Sequence, residues 1–245
     1  MMIQKRVVIV GGTSGIGIEA VRRFRERGWI VGVAGRNKEM LDHLSNEYGE
    51  GVVCQVIDVR DEKAGDQLIQ LSEAIGGMDV FLLSSGIGSS NMELDTSIEI
   101  ATVETNALGF VRLIDAAYHY FKQKGGGHIA AITSVAGTKG LGSAPAYSAT
   151  KRFQNHYLDS LSQLSKMTDS KIKITDIRPG FVNTPLLKKK KYPLLMEAKP
   201  VSEALVNAII KGKRVEVIDW RYRLLVAVWR RIPRWLWERL AISNN

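Results

Sequence analysis

The sequence predicts an α/β fold: a single doubly wound domain built on a mostly parallel sheet of seven strands. Three observations carry this. Short continuous apolar runs alternate with helix-period segments, the runs do not alternate with polar residues, and a glycine-rich turn directly follows the first of them. Continuous apolar strands suit a parallel sheet covered on both faces, and repeated strand–helix alternation calls for right-handed crossovers. Strands are expected at 6–10, 30–34, 52–57, 80–83, 129–133, 172–177 and 215–218, with helices between them at 16–27, 38–48, 62–75, 98–123 and 146–166. On the first helix Ile16, Ala20 and Phe24 recur at i, i+4 and i+8, marking the face that packs on the sheet. No repeat or linker divides the 245 residues, so 1–245 read as one domain, and Gly125-Gly126-Gly127 is a turn before a strand.

Composition narrows the class. A 45% hydrophobic chain of this length can bury one sizeable core. The lone Cys54 excludes an internal disulfide and any multi-cysteine metal site. The four histidines (His43, His119, His128, His156) show no ligand spacing, so surface or strand-edge positions and no metal are expected. No apolar run approaches the ~20 residues of a membrane span, and the N-terminal apolar run is too short for a signal peptide core. The expectation is a cytoplasmic protein.

The formal charge of +9 is localised. Residues 188–245 hold 14 basic and 5 acidic side chains, whereas residues 1–187 balance at 20 of each. A neutral body with a basic end does not describe a nucleic-acid-binding surface, and no nucleic-acid partner is expected.

The first strand runs into Gly11-Gly12-Thr13-Ser14-Gly15-Ile16-Gly17 and then a helix. Glycines let the backbone turn tightly and approach a ligand closely. The helix start offers unpaired N–H groups and a positive dipole end to a pyrophosphate. Gly11, Thr13, Ser14, Gly15, Ile16 and Gly17 are therefore candidate dinucleotide contacts in a Rossmann-type domain, although the spacing is Gly-x-x-x-Gly-x-Gly rather than the commoner Gly-x-Gly-x-x-Gly. After the second strand, where a carboxylate would read a free ribose 2′-hydroxyl, the chain has Gly35-Arg36-Asn37-Lys38 and no acid before Glu39. Arg36 offers a forked, permanently charged donor set to a 2′-phosphate. NADP(H) is thus expected in preference to NAD(H); the competing reading leaves Arg36 solvated and makes Asn37 a helix cap.

Tyr147-Ser148-Ala149-Thr150-Lys151 opens a predicted helix, with Tyr147 and Lys151 one turn apart on one face. A nearby ammonium should lower the pKa of a phenol, ordinarily ~10, so that it can exchange a proton with a carbonyl or alcohol oxygen. Thirteen residues upstream, Ser134 ends the fifth strand at the carboxyl edge where open α/β sheets bind ligands, and its hydroxyl could hold the substrate oxygen.

Together these residues resemble the short-chain dehydrogenase/reductase family over about residues 4–187. The resemblance implies a homodimer or homotetramer that interconverts a small-molecule carbonyl and a secondary alcohol by hydride transfer. Gly11, Gly15 and Gly17 match the family's cofactor glycines. Asp58, followed by Val59, matches the aspartate that hydrogen-bonds the adenine amine, and Gly86 matches the backbone approach near the adenosine ribose. Asn106, Ser134, Tyr147 and Lys151 match the catalytic tetrad, which implies that Lys151 also holds the nicotinamide ribose and that Asn106 anchors a water linking the lysine to a proton relay. Pro179, Gly180, Val182 and Thr184 fall in the segment that receives the nicotinamide carboxamide. Two positions depart from the pattern: Ser84-Ser85-Gly86 replaces Asn-Ala-Gly, and Val10 replaces a threonine before the first glycine. Both alter strand bracing and neither touches proton transfer. A nucleotide sensor without turnover would be a different use of the same fold, but it has no need of the Ser–Tyr–Lys set.

The basic end is also aromatic. Trp220, Trp229, Trp235 and Trp237 are interleaved with six arginines, and Pro233 should divide the stretch into helices at 222–232 and 234–241. Such a segment can roof an apolar pocket, pack a subunit contact, or lie on anionic lipid, which would make the protein a membrane-surface reductase of lipid-like ketones. Residues 188–191, four consecutive lysines, read as part of a substrate lid within a C-terminal extension at 188–245.

Overall fold

Val7, Val8, Ile9 and Val10 are completely buried in the computed structural model, so the first apolar run is a central strand covered on both sides. The structure describes residues 4–187 and 192–242. Seven parallel strands form one sheet in the order β3-β2-β1-β4-β5-β6-β9: β1 (Arg6–Val10), β2 (Ile30–Gly35), β3 (Val52–Val56), β4 (Val80–Leu83), β5 (Gly127–Ile132), β6 (Ile172–Arg178) and β9 (Val215–Val217). A separate short pair, β7 (Val182–Asn183) and β8 (Met196–Glu197), lies between β6 and β9 in the chain. Each of the seven expected strands is present, with ends shifted by at most two residues.

The helices divide between the two faces. One apolar core holds Phe24 of α1 (Gly15–Glu26), Leu41 of α2 (Lys38–Tyr48) and Leu205 of α7 (Ala198–Ile210). The other holds Leu68 of α3 (Ala64–Ala74), Leu113 of α5 (Gly109–Gln123) and Leu158 of α6 (Pro145–Met167). Each fully buried side chain of this size contributes about 1.5–3 kcal/mol of apolar transfer. The stretch expected as one helix at 98–123 is α4 (Thr96–Val103), a π turn at Glu104–Leu108, and α5. Helix α7 was not anticipated from the sequence.

Beyond β9 come α8 (Trp220–Arg231) and α9 (Arg234–Trp237), separated by Pro233 as expected, although the second helix is only a single turn. Of the expected extension at 188–245, the four-lysine segment 188–191 lies outside the described residues. Among the described residues, no helix is long and apolar enough to cross a membrane.

The sheet order reverses at β1, with β2 on one side of it and β4 on the other. Open α/β sheets bind ligands at the carboxyl edge beside such a switch point. A cleft of about 740 Å³ opens there.

Candidate active site

The glycine turn forms one wall of this cleft. Gly11 has φ +90°, and a Cβ there would lie 2.4 Å from the Ser85 nitrogen; a Cβ on Gly17 would lie 2.0 Å from the Gly11 carbonyl oxygen. A side chain at Gly11 would collide with the backbone that follows β4, and one at Gly17 would push helix α1 off the turn. That helix starts after Ser14 with no side-chain cap, so its first amides depend on something other than a protein side chain. Gly11, Thr13, Ser14, Gly15 and Ile16 line the cleft, while Gly17 is buried behind them. This donor set fits a pyrophosphate.

The rim beyond it is charged. Arg36 is exposed at the lip, and no carboxylate pairs with it among the described residues. Asn37 caps α2 by accepting from the Met40 amide. Both halves of the competing reading, the Asn37 cap and an exposed Arg36, are therefore present, and the cap leaves the Arg36 guanidinium without a carboxylate partner among the described residues. Asp58 and Val59 line the cleft on the same side. The Asp58 carboxylate receives Nε and Nη2 of Arg60, which holds its pKa below the usual carboxylate value. The adenine contact expected of Asp58 thus meets an aspartate that already has a partner.

At the far end three of the four expected tetrad residues converge. Tyr147 enters the cleft from the first turn of α6, Lys151 from the next, and Ser134 from the end of β5. Ser134 accepts from the Ala136 amide at 3.0 Å, and the preceding Thr133 donates to Asp176 within a buried group that includes Asn155 and Arg178. Lys151 Nζ is 5.8 Å from the centroid of the Tyr147 ring. The ammonium donates to the Ile132 carbonyl at 3.1 Å and to Gln154 Oε1 at 3.0 Å.

These contacts revise the expected electrostatics. Burial raises the Tyr147 pKa, while the Ser134 hydroxyl acts in the opposite direction. Burial also lowers Lys151 to about 8, with the Asp176 charge opposing. The ammonium was expected to lower the phenol. It is instead committed to a carbonyl and an amide, and desolvation dominates because a buried phenolate costs more than a buried phenol. Tyr147 is thereby held as a neutral phenol.

Asn106 does not line the cleft; it is fully buried behind Gly86. Its side chain clamps Ile87, donating to the carbonyl at 2.7 Å and accepting from the amide at 2.9 Å. It lies in the π turn, and such turns shift the backbone ladder by one residue, often at functional sites. Its carbonyl accepts from Gln154 Nε2 at 2.8 Å. Among the described side chains, Gln154 therefore bridges the Asn106 carbonyl and the Lys151 ammonium. Sequence reading passed over Gln154; the only signal was an amide on the inner face of an amphipathic helix, where it is 1% exposed.

Pro179, Gly180, Val182 and Thr184 line the cleft on the β6 side, with Thr184 packed beside Gly15. A Cβ on Gly180 would lie 2.0 Å from the Tyr222 ring. The Tyr222 hydroxyl donates to the Pro193 carbonyl and accepts from the Phe181 amide, pinning α8 across this loop. Trp237 donates to the Gly140 carbonyl at 2.7 Å, and Lys139 to that of Ile232, so α9 is tied to the loop after β5. The mouth between these ties is apolar, with Leu141, Phe181, Leu186, Leu225 and Trp229 around it.

Residues set aside in the sequence carry no competing chemistry. His128 departs from the expected surface or strand-edge placement: it is buried against Thr175 and lowered to about 4 by burial, hence neutral. Burial raises Cys54 to about 11, leaving an unreactive thiol. No cluster of metal-ligating side chains occurs among the described residues.

A family model described as short chain dehydrogenase matches residues 5–193. An uncharacterized oxidoreductase of Mycobacterium tuberculosis is 28% identical over 97% of this chain and 98% of its own. One of Staphylococcus aureus is 28% identical over 89% of this chain and 96% of its own. Among solved structures, ElxO with NADP bound superimposes with TM-score 0.78 at 23% identity, covering 91% of this chain and 100% of that one. The 3-ketoacyl-(acyl-carrier-protein) reductase of Brucella melitensis complexed with NADH superimposes with TM-score 0.77 at 21% identity, covering 88% and 96%. At these identities the structural matches establish the fold.

Proposed function

This chain belongs to the short-chain dehydrogenase family and is an oxidoreductase of it; on that premise we propose that it reduces an uncharged, apolar carbonyl compound to a secondary alcohol with NADPH. The observation that carries the reading is the pairing of a neutral phenol and a buried ammonium, Tyr147 and Lys151, with Ser134 in one cleft whose other end carries the glycine turn and Arg36. The reduced nicotinamide, when bound, supplies the hydride. The Ser134 hydroxyl donates to the substrate carbonyl oxygen and fixes its position. Tyr147 Oη gives its proton to that oxygen as negative charge develops there. Lys151 stabilises the phenolate left behind and holds ribose hydroxyls.

The lining supports the substrate class. Its ionisable members are Arg36, Asp58, Tyr147, Lys151, Tyr192 and Tyr222; the two that carry opposite fixed charge, Arg36 and Asp58, are at the dinucleotide end. Among the described residues, no carboxylate or guanidinium lines the mouth beside Leu225 and Trp229, and burying an unpaired substrate charge there would be costly. We read 1–245 as one domain whose C-terminal extension closes the mouth.

Arg36 is proposed to select the 2′-phosphate. Arg36→Ala should raise KM for NADPH about tenfold to a hundredfold, the worth of a charge-assisted contact, and leave KM for NADH unchanged. The test is NADPH and NADH oxidation against ketones graded by size and polarity. Equal KM values for both dinucleotides in the parent protein would remove Arg36 from this role, and turnover confined to charged substrates would overturn the substrate class.

Gln154 is proposed as a positioning residue that holds the ammonium. Gln154→Leu removes an acceptor from the charged lysine and should move the lysine-dependent limb of the kcat/KM pH profile about one unit lower. Gln154→Glu, which places a carboxylate beside the lysine, should move that limb higher. Profiles superimposable on the parent's would make Gln154 merely structural.

A further inference from the structure

Helix α8 has two faces with different surroundings. Tyr222 and Val226 are buried against the body, and Leu225 and Trp229 line the cleft mouth. At i, i+4 and i+8, Trp220, Leu224 and Val228 stand 70%, 61% and 51% exposed. Beyond Pro233, Trp235 is 62% exposed, and Leu236 and Leu240 are exposed as well. So many large apolar side chains exposed within one short stretch mark an interaction site.

The charge around it points to the partner. Residues 220–242 contain six arginines and one acidic residue, Glu238. Arg234 pairs with Glu238, Arg221 with Asp219 and Arg223 with Glu216. Arg230, Arg231 and Arg239 have no carboxylate partner among the described residues, and Arg239 lies over the Trp235 ring. At 3.6 residues per turn, Arg231 falls within the apolar stripe and Arg223 and Arg230 along one flank. A second copy of this face would set arginines against arginines. A nucleic acid would match the charge but has no apolar phase for Leu224, Val228 and Leu236. An anionic bilayer surface supplies both, with phosphates at the level of the arginines, acyl chains beneath, and the boundary that indole rings favour.

We propose that α8 and α9 dock the protein on an anionic membrane surface, with the cleft mouth facing the headgroups so that a lipid-soluble carbonyl substrate enters from the bilayer. Docking stands on the surface alone; the route of entry rests on the reductase reading above.

The test is sedimentation with vesicles of phosphatidylcholine alone and vesicles containing phosphatidylglycerol, with neither cofactor nor substrate present. The protein should sediment with the anionic vesicles at low salt and be released as salt rises. The double variants Trp220→Ala/Leu224→Ala and Arg230→Glu/Arg231→Glu should each weaken partitioning at least about tenfold. Their turnover of a small water-soluble ketone should match the parent's, which also verifies folding, since none of the four residues lines the cleft. Absence of sedimentation, equal sedimentation with both vesicle types, or variants that bind like the parent would overturn the proposal. So would a dimer, seen by light scattering, that the Trp220→Ala/Leu224→Ala variant breaks without any vesicle binding. Because sedimentation is read without turnover, its failure leaves the chemistry at Tyr147 untouched, and loss of turnover leaves the docking result standing.

Discussion

Replacing Tyr147 with phenylalanine should lower kcat by about 10²–10⁴, the usual worth of a positioned proton donor, while NADPH affinity stays at the parent's value. The substitution keeps the ring that packs on Gly88 and removes only the hydroxyl. Among the described residues, no neighbouring group is placed to take over. Lys151 is held by the Ile132 carbonyl and Gln154, and Ser134 is a much weaker acid engaged by the Ala136 amide. Stopped-flow NADPH oxidation with a saturating apolar ketone gives kcat, and quenching of protein fluorescence on NADPH titration gives affinity. A variant that turns over like the parent would transfer the proton donor elsewhere. A variant with lost NADPH binding would make Tyr147 a structural element of the cofactor site.

Lys151→Met should abolish turnover and remove the rise in stability with pH that the ligand-free parent shows. Lys151 is 4% exposed and titrates at about 8 in the folded chain against an ordinary value of 10.5. Between those values the unfolded chain binds the proton and the folded chain does not, so parent stability rises with pH across that window. Below it, the full cost of the buried ammonium is present, about 3 kcal/mol. The methionine variant escapes that cost but forfeits two hydrogen bonds from a charged group, worth about 1.5–3 kcal/mol each, so the two effects offset at neutral pH. The slope is the sharper reading: denaturant midpoints at about pH 7 and about pH 9.5 should climb in the parent and stay level in the variant. A parent whose stability falls over this range would place the lysine pKa above its ordinary value and refute the assignment. The instability that the lysine imposes is the cost of keeping a cation inside a catalytic pocket.

Much of this site was legible before any coordinates. The glycine spacing after the first strand, Ser134 at the end of the fifth, and Tyr147 and Lys151 one turn apart are local facts of the chain, and local sterics and helical geometry place each of them. What could not be read was how those groups bear on one another. Four-residue spacing put an ammonium beside a phenol, but it could not reveal that Ile132 and Gln154 claim the ammonium, or that burial outweighs its field. The four clustered tryptophans presented one pattern with several readings. The fold separates them, with Trp229 and Trp237 turned inward at the mouth and Trp220 and Trp235 outward.

By itself the sequence determined the alternation of strands and helices, the order of the sheet's central motifs, and the chemical types gathered at its carboxyl edge, because period, apolar run length and backbone freedom act over a few residues. The tertiary structure alone decided which polar groups are spoken for and which faces are covered. Gln154 meets Asn106 across 48 positions, Tyr222 meets Phe181 across 41, and Trp237 meets Gly140 across 97. Desolvation and hydrogen-bond partnership depend on such distant neighbours, so a pKa or an exposed face is settled only when the chain closes on itself.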